Sequence, residues 1–376
     1  MATTHVFTSA AWNYLPKVRI LFESIKKHHP EWETHFLVAD KFNYDFDIEK
    51  EPFDNAWAIK DLDIPNHRAW IFCHNLVELA TALKPFLFKK LLSQKNVKNV
   101  IFLDPDVVVF SRLDEILDSL NSSSIVLTPH LTSPDETIEA IMDNEISALK
   151  HGSYNLGFLG VSNTKIGKKF IDWWAQRLYF FCKNQIYNGL FTDQKWIDLV
   201  PGLFDKVYVI RSSRYNVASW NMPNRKITQN KKNQYMVDGK RLAFYHFTGF
   251  DSGSHIKMLM KYSNYNHAVK QLIDWYVSQI KLNSKGNSQE WGFAKFSNGE
   301  FIKTYQRELY SKHIYLQKKF KNPFISHGYL RWYKYSHNRF IKEFFYKLTN
   351  NFLIRKFLEK FSKSLHPNLS SSNYKK

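Results

Sequence analysis

Cysteine is scarce in this chain. The 376 residues include only Cys73 and Cys182, and no C-x-x-C spacing occurs. Two cysteines without that spacing indicate neither a disulfide framework nor a zinc site. The cysteine content therefore fits a reducing compartment.

Long apolar runs are also missing. No stretch approaches about eighteen consecutive apolar residues, which argues against a membrane-spanning helix. The first residues, M-A-T-T-H-V-F-T-S-A, lack the basic segment and the long apolar core of a signal peptide. We therefore expect a cytoplasmic protein, and its 44% hydrophobic content is enough for one large or two small domains with a real core.

Acidic residues are outnumbered by basic ones. The chain has 53 Lys and Arg against 34 Asp and Glu, a net charge of +19, which indicates an anionic partner such as a nucleotide, a nucleic acid or an acidic membrane. Residues 301–376 carry 17 of the basic but only 3 of the acidic residues, a net charge of +14. The first 300 residues therefore carry only +5.

Two carboxylates interrupt the apolar segment N-V-I-F-L-D-P-D-V-V-V-F at residues 99–110. A continuous run of Val, Ile, Leu and Phe is typical of a strand buried on both faces of an α/β sheet. Because an unpaired buried charge is costly, Asp104 and Asp106 must lie where the strand leaves the sheet, and Pro105 agrees with a strand end. Carboxylates placed there suit a divalent cation that also binds a diphosphate, although a bare D-x-D is more often a simple turn.

The segment F-L-D-P-D-V-V-V-F resembles the D-x-D segment of nucleotide-sugar-dependent glycosyltransferases of the GT-A fold. Other segments across residues 1–300 are similar to bacterial surface-polysaccharide transferases akin to glycosyltransferase family 8. The resemblance implies an α/β fold with a Rossmann-like, mostly parallel central sheet, a D-x-D metal site and Mn²⁺ or Mg²⁺ as cofactor. It also implies a UDP-sugar donor and a glycan or lipid-linked glycan acceptor.

The beginning of the chain supplies candidate donor contacts. A strand, a loop and a helix follow one another, and the loop after the first strand of a parallel sheet lies at the ligand-binding edge. Thr8, Ser9 and Ala10 are therefore candidates to meet the base or ribose, although an ordinary capping loop is equally consistent. Asp40 ends the second predicted strand, where an acidic group would meet a ribose or uracil.

Lys84 is a further candidate for the donor site. Residues 70–94 are predicted to be helical, with a break at Pro85 that forces an extended bend after Lys84. T-A-L-K-P-F matches a T-A-x-K-P-F stretch of the similar transferases, which implies that Lys84 reaches the Asp pair or the diphosphate. A solvated lysine at a helix end is the alternative.

Two later segments are similar to sugar-binding segments of the same family. Y-N-L-G-F-L-G-V-S, residues 154–162, resembles an F-N-A-G segment, which implies that Asn155 lies near the donor sugar, and Gly157 allows a ligand to approach closely. T-D-Q-K-W-I-D-L matches the position of a D-Q pair. This match implies that Asp193 binds sugar hydroxyls and that Gln194 lies on the face opposite the leaving phosphate. From the residues alone, Thr192 is the predicted N-cap of a helix.

The predicted strand L-A-F-Y-H-F-T-G-F-D contains His246 and Gly249. An isolated histidine in an apolar strand is more often a core residue. H-x-x-G, however, resembles the segment in which family 8 enzymes carry a third metal ligand. The resemblance therefore implies a metal set of Asp104, Asp106 and His246, with Gly249 beside the donor.

The sequence departs from the family directly after this segment. Where family 8 continues H-x-x-G-x-x-K-P-W, this chain reads H-F-T-G-F-D-S-G, so the phosphate-binding lysine is missing. Lys257 and Lys84 are candidates to replace it.

A polar and aromatic loop is predicted at residues 215–221. Tyr215, Asn216 and Trp220 suit a sugar acceptor, because carbohydrates are bound by aromatic faces with a few aimed polar groups. The D-Q pair favours retention of configuration. Inversion would instead need a carboxylate base near the acceptor hydroxyl, for which Asp251 and Asp193 are the candidates.

The C-terminal region differs in composition from the rest. K-L-N-S-K-G-N-S is a polar linker, so we predict a catalytic domain at 1–285 and a basic, aromatic-rich helical region at 286–376. Residues 291–302 resemble a short aromatic segment of similar proteins, without an assigned chemistry. At helical spacing the apolar residues beyond it share faces, formed by Phe340, Phe344 and Leu348 and by Phe352, Phe357 and Phe361.

These features combine into one expected function and two alternatives. Basic amphipathic helices favour an anionic membrane surface, so residues 301–376 are expected to hold the protein on the inner face of a bacterial cytoplasmic membrane. There it would transfer a sugar to a surface glycan such as lipopolysaccharide or capsule. A noncatalytic membrane-associated scaffold of the same fold is the first alternative, and the intact metal set counts against it. A nucleic-acid-binding protein is the second, although no recognised RNA or DNA module is visible.

Overall fold

The computed structural model describes residues 3–263, 265–284, 290–336 and 338. The chain divides into two compact units, Met1–Ala294 and Lys295–Lys376. The candidate site lies in the first unit.

A seven-stranded sheet forms the centre of the first unit. The strands of this unit, in chain order, are β1 (Thr3–Ala10), β2 (Glu33–Val38), β3 (Asn55–Ala58), β4 (Val97–Leu103), β5 (Val107–Val109), β6 (Ile125–Pro129), β7 (Tyr154–Ser162), β8 (Asn184–Gln185), β9 (Leu190–Phe191), β10 (Val207–Val209), β11 (Ile227–Gln229), β12 (Tyr235–Val237), β13 (Lys240–Arg241) and β14 (Phe244–His246). The central sheet has the order β10-β6-β7-β4-β1-β2-β3. β7 runs antiparallel to β4 and β6, and the other neighbouring pairs are parallel. The predicted α/β class with a mostly parallel central sheet is confirmed.

Helices connect the strands and cover the sheet. In chain order they are α1 (Leu15–His28), α2 (His67–Phe72), α3 (Leu76–Ala82), α4 (Lys84–Leu92), α5 (Asp114–Ser122), α6 (Ile138–Ala140), α7 (Ile146–His151), α8 (Lys165–Phe181), α9 (Val200–Leu203), α10 (Ser254–Tyr262) and α11 (His267–Asn283). A π-helical turn, Ile141–Glu145, joins α6 to α7.

The core explains why β1 and β4 occupy the centre of the sheet. Phe7 of β1 pairs with Phe102 of β4, and both side chains are fully buried. Strands buried on both faces need continuous apolar runs, which both segments have. α1 packs the apolar face at Val18, Leu21 and Phe22 into a core cluster that contains Val6 of β1 and Ile101 of β4, because residues three and four apart lie on one side of a helix.

The strand directions bring several loop residues to one edge of the sheet. β4 ends at Leu103 and β6 ends at Pro129, and the two strands are parallel because each is antiparallel to β7. The amino end of β7, with Asn155, therefore lies at the same edge as Asp104 and His130. Ligands of open α/β sheets bind at this carboxyl edge.

The second apolar run of residues 99–110 forms a strand of its own. β5 pairs antiparallel with β14 outside the central sheet, with Val107 opposite His246. The chain turns between the two runs, where the Val107 N–H donates to the Asp104 carbonyl at 3.0 Å. Both carboxylates therefore lie at the predicted strand end.

The predicted bend at Pro85 is wrong. Leu83 has helical dihedral angles (φ −73°, ψ −25°), and α4 begins at Lys84 with Pro85 as its second residue. A proline is tolerated in the first turn of a helix, because the N–H that it lacks has no intrahelical acceptor there. Lys84 therefore begins a helix and points into the protein.

The predicted N-cap at Thr192 is also wrong. Its backbone has φ +43°, and its hydroxyl donates to Asp193 Oδ1 at 3.0 Å. The 3-10 helix that follows, Lys195–Leu199, begins after Gln194 and has no side-chain cap. The turn conformation of Thr192 prevents the extended geometry that an N-cap needs.

The second unit contains α12 (Thr304–Lys312), α13 (Ile314–Lys319) and a π-helical turn, Ser326–Leu330. Within the unit, the Tyr310 hydroxyl donates to the Phe320 carbonyl at 2.7 Å. Among the residues described, none of the helices combines the length and the hydropathy required to cross a bilayer. The amphipathic faces predicted between Phe340 and Phe361 lie outside the described residues.

Candidate functional site

Asp104, Asp106 and His246 come together at the carboxyl edge of the sheet. His246 Nε2 lies 3.0 Å from Asp106 Oδ1 and 3.7 Å from Asp104 Oδ2. One ligand atom from each side chain falls within 4.8 Å of the other two. The turn after β4 supplies the carboxylates, and the β5–β14 pair holds the imidazole against them. The cluster is a candidate metal site.

Asn155 orients the imidazole of His246. Asn155 Oδ1 accepts the Gly157 N–H at 3.0 Å and lies 3.2 Å from His246 Nδ1. Because an amide oxygen can only accept hydrogen bonds, His246 Nδ1 must carry a proton and donate it. His246 Nε2 then faces the two carboxylates at 3.0 Å from Asp106 Oδ1, so a bound metal would take the place of the proton that Nε2 shares with Asp106.

Gly157 makes room for this imidazole. A Cβ at Gly157 would lie 2.4 Å from His246 Cε1 and 2.5 Å from Nδ1. The close approach predicted at Gly157 is therefore made by His246. Direct contact of Gly157 with the donor stays a prediction.

Lys84 enters the cleft from the first turn of α4. Its Nζ lies 2.9 Å from Asp193 Oδ2 and 3.4 Å from Asp104 Oδ1, and it donates to the Leu156 carbonyl at 3.2 Å. Its side chain is only 3% exposed. Lys84 thus links Asp104 of the D-x-D segment to Asp193.

Gln194 is held by three partners. Its Oε1 accepts the Leu156 N–H at 3.0 Å and lies 3.5 Å from Asn155 Nδ2. Its Nε2 donates to the His151 carbonyl at 3.1 Å. Asp193 and Gln194 are both buried, so the Asp193 carboxylate and the Gln194 amide have fixed positions at the cleft wall.

A cleft of about 670 Å³ lies between these residues. The predicted site residues that line it are Lys84, Asp104, Asn155, Asp193, Gln194, Trp220, His246 and Gly249. Gly249 has φ +71° and a Cβ there would lie 2.3 Å from Ser254 Oγ, so this turn requires glycine.

The charges of the cleft stabilise one another. Burial opposes the charged form of Lys84, but Asp104 and Asp193 outweigh it and raise its pKa. Burial likewise opposes protonation of His246, but Asp106 outweighs it and raises the pKa of His246. Burial raises the pKa of Asp104. For Asp106, His246 overcomes the effect of burial and lowers the pKa. The carboxylates of Asp104 and Asp106 are thus stabilised by the positive charges of Lys84 and His246.

The predicted contacts to the nucleotide lie outside the cleft lining. Thr8 is fully buried, and the Ser9 hydroxyl donates to the Ala80 carbonyl at 2.8 Å. Ala10 ends β1 and is 4% exposed. Asp40 Oδ1 accepts the N–H groups of Lys41 and Gly292, each at 2.7 Å. Their roles in donor binding stay predictions.

The four predicted acceptor residues lie in different places. Trp220 lines the cleft and donates its indole N–H to the His130 carbonyl at 3.0 Å. Tyr215 is 1% exposed and packs in the core beside Phe244, and Asn216 is 0% exposed. Burial removes both side chains from solvent, and their contact with an acceptor stays a prediction. Asp251 lies outside the cleft lining.

His130 and His151 line the cleft and were not predicted. His130 Nε2 lies 3.1 Å from Asn155 Nδ2, and burial lowers the pKa of His130 to about 4. One signal for His130 was present: it directly follows the strand S-I-V-L-T-P, as Asp104 follows its own strand. His151 had no such signal, since it ends the surface helix α7.

A second group of potential ligands, His5, Glu33 and His35, occurs among the described residues. Its hydrogen bonds argue against a metal. The Trp57 indole N–H donates to His35 Nδ1 at 3.2 Å, so neutral His35 carries its proton on Nε2 and donates to His5 Nδ1 at 2.9 Å. Both ring nitrogens of His35 and Nδ1 of His5 are thus already engaged in hydrogen bonds.

No protein-family model matches the chain. Among curated proteins it is similar to two from Bacillus subtilis (strain 168), the uncharacterized proteins YfnD and YfnF. YfnD is 26% identical over 255 residues, which are 66% of this chain and 79% of YfnD. YfnF is 27% identical over 176 residues, which are 46% of this chain and 57% of YfnF.

Among solved structures, the galactosyltransferase LgtC in complex with donor and acceptor sugar analogs is similar to 77% of this chain. The match covers 97% of LgtC at 14% sequence identity, with a TM-score of 0.44. A TM-score in this range carries no inference about the reaction, which has to be derived from the site residues.

Proposed function

We propose that this protein is a metal-dependent glycosyltransferase that moves a sugar from a UDP-sugar donor to a glycan. The observation that carries the proposal is the convergence of Asp104, Asp106 and His246 at a cleft that Asp104 and His246 line together with a buried lysine and two buried amides. Two carboxylates and one imidazole suit a divalent cation, and the surrounding polar groups suit a sugar.

The three candidate metal ligands, Asp104, Asp106 and His246, fit Mn²⁺ or Mg²⁺. Carboxylate oxygens suit both ions, and an imidazole nitrogen favours Mn²⁺ of the two. Asn155 holds the imidazole in the tautomer that a metal needs. When bound, the cation would stabilise the negative charge of the departing diphosphate.

The other residues of the cleft bind and position the donor sugar. Lys84 is paired with Asp193 and Asp104, and we assign the donor sugar to Asp193, Gln194 and Asn155, which line the cleft. In the reaction, the bond from the anomeric carbon to the β-phosphate oxygen breaks and UDP leaves with the electron pair. The acceptor hydroxyl oxygen bonds to that carbon, and its proton passes to the leaving phosphate.

Retention of configuration is the proposed outcome. Inversion needs a free carboxylate base in the cleft, and neither candidate supplies one. Asp193 is paired with Lys84 at 2.9 Å, and Asp251 lies outside the cleft lining. An ion-paired carboxylate is a weak base, which supports front-side attack on the donor.

The donor assignment is tested by nucleotide release from UDP-, GDP- and CMP-sugars, with and without Mn²⁺. We expect metal-dependent release from a UDP-sugar by the wild type and none by Asp106→Ala. Lys89→Gln, which changes an exposed residue of α4, is the control and should match the wild type. Absence of release from every donor, together with absence of metal-dependent donor binding, would contradict the proposal and favour a noncatalytic scaffold.

We further propose that residues 301–376 bind an anionic membrane surface, where a lipopolysaccharide, capsule or other lipid-linked glycan acceptor is presented. The net charge of +14 on this region supports the proposal. Salt-sensitive binding to phosphatidylglycerol liposomes, lost on deletion of 301–376, is the expected result. Binding to oligonucleotides, or liposome binding unchanged by the deletion, would contradict it.

A further inference from the structure

Lys17 lies in the first turn of α1, at the edge of the sheet that carries the metal-ligand cluster. α1 follows β1, whose carboxyl end lies beside the end of β4. The Lys17 side chain is only 8% exposed. Lysine is seldom buried to this extent without a charged partner.

The partner of Lys17 is Asp251, on the loop that follows His246. Lys17 Nζ lies 2.6 Å from Asp251 Oδ2, and the Tyr14 hydroxyl donates to the same oxygen at 3.0 Å. The Asp251 side chain is 57% exposed, so water can solvate it without Lys17. A buried cation is thus paired with a carboxylate that it can release.

The electrostatic influence of Lys17 extends to the candidate metal ligands. Burial favours the neutral form of Asp106, but His246 and then Lys17 outweigh it and lower the pKa of Asp106. Burial raises the pKa of Tyr14, and the carboxylates of Asp251, Asp106 and Asp104 raise it further. Lys17 therefore lies within electrostatic range of Asp106, and Tyr14 within range of both acidic ligands.

The charges of the cleft leave a need for one more cation. A divalent cation held by Asp104 and Asp106 adds no net charge, because the two carboxylates balance it. Lys84 is already balanced by Asp193. A leaving nucleoside diphosphate adds negative charge that an additional positive group would stabilise.

We propose that Lys17 binds the diphosphate of the donor, exchanging the Asp251 carboxylate for phosphate oxygens. An ammonium group binds phosphate as a point charge, and a buried one does so strongly because little water competes. The proposal rests on the proposed function, since it assumes a nucleoside diphosphate beside the metal ligands.

Calorimetric titration of UDP in the presence of Mn²⁺ tests the exchange with two variants. Lys17→Gln should weaken UDP binding about 10- to 100-fold, since a charge-assisted contact is lost. Asp251→Asn should leave UDP binding unchanged or tighten it, because the competing carboxylate is gone. Lys26→Gln breaks another α1 ion pair, to Asp54 at 2.6 Å, and should bind UDP as the wild type does.

The opposite effects of the two variants distinguish binding from tethering. If Lys17 only fastened the Asp251 loop to α1, both substitutions would remove the same ion pair and weaken UDP binding equally. That result would overturn the proposal. Unchanged UDP binding by Lys17→Gln would also overturn it, as would a result in which Lys257→Gln weakens UDP binding and Lys17→Gln does not. If Lys17→Gln does not fold, Asp251→Asn still decides, since weaker binding would contradict the exchange.

The same titrations separate this proposal from the proposed function. A wild type without metal-dependent UDP binding would overturn both. A wild type that binds UDP, with Asp106→Ala impaired and Lys17→Gln unaffected, would overturn the role of Lys17 alone.

Discussion

At the scale of single residues, Gly157 determines whether the His246 imidazole can occupy its position. We expect Gly157→Ala to lower Mn²⁺ affinity at least about 10-fold, because the new methyl group would displace a ring that Asn155 orients. Titration calorimetry with Mn²⁺ on the folded variant measures the effect.

Gly160→Ala is the matched control on the same strand. A Cβ there would meet Leu120 and Phe158 at 3.4 Å, an ordinary contact distance. We expect Mn²⁺ affinity to stay at the wild-type value in this variant. Equal affinity in both alanine variants would mean that the imidazole does not bind the metal.

Lys84 and Asp193 form an ion pair in which both side chains are 3% exposed. Removing one partner leaves a buried charge without compensation, so we expect Lys84→Met to lower the free energy of unfolding by about 3–5 kcal/mol. Urea denaturation measures the change. Lys89→Met, which breaks the exposed pair with Asp172, should cost less than about 1 kcal/mol.

A second substitution checks the cause of that loss. Adding Asp193→Asn to Lys84→Met removes the stranded carboxylate, so part of the lost stability should return. A double variant less stable than Lys84→Met would contradict the explanation.

Some of these residues were predictable from the sequence and others were not. Asp104 and Asp106 were, because a carboxylate after an apolar run has to leave the sheet. The Lys84–Asp193 pair joins distant parts of the chain, and no local pattern records such contacts. The burial of Tyr215 was not predictable, because a polar and aromatic composition does not tell which side chains face solvent.

For the helices and strands, the boundaries and the pairing partners were harder to predict than the existence of each helix or strand. The period of apolar residues placed α1, since burial of one face imposes that period, and a run of apolar residues placed β7, which is buried on both faces. It did not show that β5 leaves the central sheet to pair with β14, which depends on a partner more than a hundred residues away. The break expected at Pro85 failed because proline stops a helix in its interior and fits its first turn.

The position of Pro85 leads to a prediction about α4. We expect Pro85→Ala to change the free energy of unfolding by less than about 1 kcal/mol, because no intrahelical hydrogen bond is gained or lost there and only the entropy of the unfolded chain rises. Donor hydrolysis should also be unchanged, since Lys84 stays in place. A loss above about 2 kcal/mol in urea denaturation would indicate that the proline ring itself is needed.

At the scale of the whole molecule, several buried histidines are kept neutral. Burial lowers the pKa of His35 to about 3 and of His130 and His255 to about 4. In the unfolded chain each would titrate near about 6.5. Below that pH the unfolded state binds more protons, so the free energy of unfolding falls as the pH decreases.

Between the pKa of each histidine in the folded protein and its pKa in the unfolded chain, every pH unit of acidification should lower the free energy of unfolding by about 1.4 kcal/mol per histidine. Urea denaturation at about pH 7.5 and about pH 5.5 measures the loss, expected to be a few kcal/mol. His35→Gln should show a smaller loss than the wild type. Equal stability at the two pH values would show that the histidines take up protons without unfolding.

The division into a catalytic domain at 1–285 and a membrane-binding region at 286–376 stays a prediction. Within the first unit, Trp291 donates its indole N–H to the Ala39 carbonyl at 3.0 Å, and Gly292 contacts Asp40. The aromatic segment that begins at Trp291 is thus in contact with the end of β2. Sequence composition marked the linker but not this contact.

The most direct test of the metal site is anomalous diffraction from crystals soaked with Mn²⁺ and UDP. We expect a manganese peak bonded to Asp104, Asp106 and His246, with the UDP phosphates beside it. No peak at that cluster, or a peak at His5, Glu33 and His35 instead, would contradict the assignment of the metal site.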